Sequence, residues 1–149
     1  MRSVVATVFL AVVAVCAVSD VAAAPAPAPA FEMVEGGESL QFFPPETVRL
    51  ERPQPGGPPK VCQTDLPRNG NMWSGADVTG AFARADVQKA IAGNLIYKSS
   101  ASTQATFRIG TNRMWLSPTC TTCAPPPKDV EAFESMMRGV LMNRRLLCP

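Results

Sequence analysis

Histidine is absent from the 149 residues. Any four-ligand zinc site would therefore have to be built from cysteine thiolates alone. No Asn-x-Ser/Thr triplet occurs, so N-linked glycan is not expected, and no segment repeats at a fixed period. A long membrane-spanning run is also missing. The apolar stretch Val4 to Val18 falls short of the roughly 20 residues that cross a bilayer, and Asp20 breaks the run just beyond it. With Arg2 ahead of it and the small residues Val21-Ala22-Ala23 behind, that stretch reads as a secretory signal over residues 1–23, cleaved after Ala23 or Ala24. The expected destination is outside the cell, with no attachment to a membrane.

Residues 24–59 open with Ala-Pro repeats and hold nine of the fifteen prolines, two Gly-Gly pairs and no cysteine. Proline removes backbone donors and favours extended conformations, so this stretch is expected to be a disordered, proline-rich acidic leader without a packed core. Only Leu40-Gln41-Phe42-Phe43 has the character to dock elsewhere. Arg49-Leu50-Glu51-Arg52 has the spacing of an R-x-x-R processing site, but Pro53 disfavours cleavage there, and an exposed linker is the favoured reading. Charge divides at the same boundary. The leader carries two arginines against five glutamates, whereas residues 60–149 carry eleven Lys or Arg against six Asp or Glu. A basic domain behind an acidic leader suits an anionic partner, and equally a merely soluble surface.

Cys16 leaves with the signal, and Cys62, Cys120, Cys123 and Cys148 remain. An even count in a secreted chain points to two disulfides, although four cysteines allow three connectivities. A domain of roughly 90 residues has a modest core and benefits from such staples. The Cys120-Thr121-Thr122-Cys123 spacing is shared with thiol oxidoreductases and zinc sites. The first use needs a helix N-terminus to lower the thiol pKa, and Ala124-Pro125-Pro126-Pro127 does not read as helix. The second would need all four cysteines reduced in an oxidising compartment. Structural disulfides are therefore expected, with no metal and no cofactor.

Ser74-Gly75-Ala76-Asp77 has the form of a capping box, and Val78, Ala81, Phe82 and Ala85 come next at helical spacing. A single helix is expected from Ser74 to about Ala92, ended by Gly93-Asn94, with Gly80 a weak point or a mark of close packing on a sheet. Strands are expected at residues 95–97, 105–109, 113–116, 139–142 and 146–148, separated by turn formers. Residues 128–137 are ambiguous, because Val130, Phe133 and Met137 also form a helical stripe. One helix on an antiparallel sheet makes the predicted class α+β, disulfide-stapled, with the folded domain over residues 60–149.

In that order of elements the chain resembles the small secreted guanyl-specific ribonucleases of fungi. Trp73-Ser74-Gly75-Ala76-Asp77-Val78 resembles the family's helix entry, Arg113-Met114-Trp115 the strand bearing its catalytic glutamate, and Gly139 to Asn143 the late strand bearing a histidine. The resemblance implies an end-to-end bridge between Cys62 and Cys148. It also implies that catalysis is lost. Tyr97 is kept, but Ser99 stands where a histidine belongs, Met114 where the glutamate belongs and Asn143 or Met142 where the second histidine belongs, and the arginine has no counterpart beyond nearby Lys128. Ribonuclease-like effectors of plant-infecting fungi have this pattern. What the likeness implies is a non-catalytic, monomeric protein secreted and then translocated into host cells, where it binds host RNA or a host protein to promote infection.

The residues expected to make that contact are Tyr97, Arg108, Arg113, Arg138, Arg144 and Arg145, with Trp73 and Trp115 as stacking aromatics. Trp115, between Met114 and Leu116 on a strand, also has the setting of a core residue. Two other readings stand beside this one. The first is an active nuclease working through Glu131 and Glu134, both expected on an exposed face. The second is a stapled toxin, inhibitor or wall-binding module.

Overall fold

The computed structural model describes residues 26–66, 73–143 and 148. The expected signal peptide, Arg144, Arg145 and, apart from Cys148, the strand expected at 146–148 lie outside the described residues. Four strands come first: β1 (Phe31–Glu35), β2 (Glu38–Phe43), β3 (Thr47–Gln54) and β4 (Gly57–Asp65). Helices α1 (Gly75–Phe82) and α2 (Ala85–Ala92) follow, then β5 (Ile96–Lys98), β6 (Ala105–Ile109), β7 (Asn112–Ser117) and helix α3 (Lys128–Met142). All seven strands join one sheet in the order β4-β3-β2-β1-β6-β7-β5, antiparallel throughout except for the parallel β5–β7 pair. The class is α+β.

The disordered leader is corrected by this sheet, and the domain boundary expected at residue 60 falls inside β4. Phe31, Met33, Leu40, Phe42, Val48 and Leu50 alternate with outward-facing residues along β1 to β3, and all six are buried. This period-two pattern is the signature of strands with one covered face. The Gly-Gly pair that suggested a linker is the hairpin turn itself. Gly36 and Gly37 have φ of 57° and 83°, as a two-residue turn between the paired Glu35 and Glu38 requires. Pro55-Gly56 makes the β3–β4 turn between the paired Gln54 and Gly57, with only Gly56 at positive φ (73°), as a type II Pro-Gly turn requires. The R-x-x-R segment lies within β3, with Leu50 buried and Arg52 bonded to Glu38 at 2.8 Å.

The expected single helix is two. The capping box is present, with Ser74 Oγ accepting from the Asp77 N–H at 3.2 Å and Asp77 Oδ2 accepting from the Ser74 N–H at 2.9 Å. The helix then stops at Ala83 and restarts after Arg84. At 100° per residue an unbroken helix would set Val87 about 180° away from Val78. The break turns Val87, Ala90 and Ile91 back onto the core, where all three are buried. Gly80 faces open space, so it marks no close packing on the sheet.

The strand expected at residues 139–142 is instead the last turn of α3. The stripe Val130, Phe133, Met137 continues through Val140 and Leu141, and all five are buried. Three helices therefore replace the single one: α1 and α2 follow the first four strands, and α3 follows all seven. Strands β5, β6 and β7 match the expected pieces to within a residue. The core centres on Phe31, whose ring lies 4.6 Å from Phe82 and 5.3 Å from Phe133, with Phe107 4.9 Å from Phe133. Cys62 on β4 is bridged to Cys148, and Cys120 to Cys123, each pair with Cα atoms 5.5 Å apart. Among the described residues no helix is long and apolar enough to cross a membrane.

Candidate functional site

Among the described residues expected to form one basic surface, Arg108 and Arg113 are neighbours, while Arg138 is engaged elsewhere. Arg108 on β6 is the register partner of Glu32 on β1 and makes an ion pair with it. Burial alone would raise the Glu32 pKa, but hydrogen bonds from Arg108 and Ser39 and the charge of Arg108 outweigh it and hold the carboxyl below its ordinary value. Arg113 lies beside Arg108 across the β6–β7 hairpin, with its guanidinium carbon 5.2 Å from the centre of the Trp115 ring. Trp115 is half-buried, while Met114 and Leu116 face the core. Tyr97 and Trp73 pack against the core rather than standing free.

Arg138 sits on α3, next to Gly139 on which the Trp73 ring packs, and is enclosed. Its Nε and Nη2 donate to Glu134 Oε1 at 3.0 and 2.9 Å, Nη2 donates to the Thr103 carbonyl at 2.7 Å, and Nη1 bonds Glu35 and Thr103 Oγ1. One guanidinium thereby ties α3 to β1 and to the loop before β6. Glu134 also accepts from Ser99 Oγ at 2.7 Å, and Ser99 Oγ accepts from the Ala101 N–H at 3.0 Å. The expectation that Glu131 and Glu134 share an exposed face is corrected for Glu134, which is 5 % exposed; Glu131 is exposed.

Two members of this network, Ser99 and Glu134, line an open cleft of about 250 Å³, together with Lys98, Ser100, Pro125, Pro126 and Glu131. The loop between β7 and α3 builds one wall. It is pinned by the Cys120–Cys123 bridge and by the Lys98 N–H, which donates to the Ala124 carbonyl at 2.9 Å. Three larger surface hollows have no buried ionisable side chain in their walls. Among the described residues no group of three or more Cys, Asp or Glu is arranged to hold a metal ion.

No family model, curated protein or solved structure matches this chain.

The sequence reading missed Lys98, Ser99 and Ser100 as cleft residues. The readable signals were the i,i+4 spacing of Glu134 and Arg138 and the i,i+3 spacing of Glu131 and Glu134, which put all three near one side of a helix. What no local pattern announces is Glu35, which reaches Arg138 from 103 residues away.

Proposed function

We propose that this chain is a secreted, ribonuclease-like effector without catalytic activity, and that it acts by binding a host protein rather than RNA. The ribonuclease likeness rests on the capped helix entry at Trp73 to Val78 and on the bridge from Cys62 to Cys148. Loss of catalysis is supported at two of the positions compared, whereas Met142 and Asn143 end a helix and have no such counterpart. Met114, at the place of the catalytic glutamate, is fully buried, and the Ser99 hydroxyl is held by Glu134. Ribose-hydroxyl chemistry needs a base, an acid and a cationic phosphate clamp in one place.

The observation that carries the choice of partner is electrostatic. Arg108 and Arg138, two of the three described arginines expected to face RNA, are engaged by Glu32, Glu35 and Glu134. Nucleic-acid affinity depends on cations that can replace counterions along a phosphate backbone, and a paired guanidinium contributes little to that exchange. Glu131 and Glu134 at the cleft would repel a phosphate outright.

The test has two arms. Mature protein mixed with single-stranded RNA at about 50 mM salt is expected to give neither cleavage nor a salt-dependent shift. A photo-crosslinking residue introduced at Ser100 is expected to give a discrete protein adduct in host-tissue extract, competed by excess unlabelled protein. RNA cleavage, or binding to RNA tighter than about 1 μM, overturns the reading.

A further inference from the structure

The three donors that reach Glu134, namely Ser99 Oγ and Arg138 Nε and Nη2, all bond its Oε1. Among the described residues Oε2 has no partner. The side chain is only 6 % exposed. Oε2 is not sealed from solvent, and Glu134 lines the cleft. An ionised carboxylate has about four lone-pair sites, so a solvent-accessible Oε2 on an otherwise nearly buried side chain can accept from a donor that enters the cleft.

Charge around the cleft points the same way. Glu35, Glu131 and Glu134 are the carboxylates of the network and its rim, and Arg138 and Lys98 are the cations, leaving one negative charge over. The lip is apolar, formed by Pro125 and Pro126. A weakly hydrated planar cation fits both features, because a guanidinium can lay its face on apolar surface while its edge donates to carboxylates. At about 250 Å³ the cleft is below the roughly 300–1,000 Å³ of small-molecule sites and suits one side chain.

We infer that the cleft between β5 and α3 is a pocket for an arginine side chain of the partner protein, with Glu134 Oε2 and Glu131 as its acceptors. This rests on the protein-binding reading above and specifies what the partner presents.

The experiment is a titration of the ¹⁵N-labelled mature protein with N-acetyl-arginine amide, and with N-acetyl-citrulline amide as its neutral isostere. Saturable shifts are expected at the amides of Lys98 to Ala101 and of Glu131 with the arginine probe only. Glu131→Gln, a change on an exposed rim, should weaken binding about fivefold without loss of spectral dispersion. Glu134→Gln disturbs a buried network, so it is interpreted only where the dispersed spectrum persists. No saturation, an equal response to citrulline, or unchanged affinity in Glu131→Gln overturns the pocket. Arginine binding without any adduct from Ser100 supports the pocket and removes the host-protein reading. An adduct that neither excess arginine amide nor Glu131→Gln diminishes keeps that reading and removes the pocket.

Discussion

At Glu32 burial and ion pairing pull in opposite directions, and pairing wins. Removing the carboxylate from water raises its pKa, while hydrogen bonds from Arg108 and Ser39 and the Arg108 charge bring it below the ordinary value of 4.5. A carboxyl with a depressed folded-state pKa stabilises the fold above its unfolded pKa, and that contribution is lost as pH falls through the folded value. Urea midpoints measured from about pH 6 to about pH 3 should therefore fall more steeply below 4.5 for the natural chain than for Glu32→Gln. Parallel curves would show that the pair contributes nothing. Arg138 is a structural tie of another kind. With its side chain only 14 % exposed and carboxylates from β1 and from its own helix on it, its loss would strand Glu35 and Glu134 in a low-dielectric setting.

Among the elements, α3 shows how packing overrides propensity. Alanine forms helix better than glycine by up to about 1 kcal/mol, so Gly→Ala on an exposed helix face stabilises. Gly80 on α1 faces open space, and Gly80→Ala should raise the melting temperature. A Cβ at Gly139 would lie 2.2 Å from Cζ3 of Trp73, so Gly139→Ala should lose about 1 kcal/mol net as overpacking exceeds the propensity gain. Thermal denaturation of both variants checks the contrast, and stabilisation by Gly139→Ala would mean that Trp73 is not seated there.

The same elements show what was legible beforehand. The capping box at Ser74 and strands β6 and β7 could be read because their signals are local and periodic. The end of α3 read as a strand because Gly139 to Met142, taken alone, is a four-residue apolar run that fits either structure. The first three strands were misread because prolines and glycines were weighed as composition, when their positions at residues 36–37 and 55–56 are turn chemistry. The network beside the cleft was legible only in part: Glu134 and Arg138 are i,i+4 on one helix, whereas Glu35 and Ser99 reach them only through tertiary pairing.

For the whole molecule, the expected division into leader and domain gives way to a single sheet in which β1 is central. β1 pairs with both β2 and β6, so the N-terminal meander and the C-terminal strands share one hydrogen-bonded ladder. The two bridges differ in reach. Cys62–Cys148 spans 86 residues and on the loop-entropy model contributes about 4 to 5 kcal/mol, whereas Cys120–Cys123 spans three and on the same model contributes about 2 kcal/mol. The long bridge holds the fold together, and the short one braces the cleft wall. Native-state hydrogen exchange of the mature protein tests the integrated sheet most directly. Amides of Met33, Leu40 and Leu50 are predicted to be protected to the same degree as those of Phe107 and Leu116; exchange of the first group at random-coil rates, with the second still protected, would contradict it.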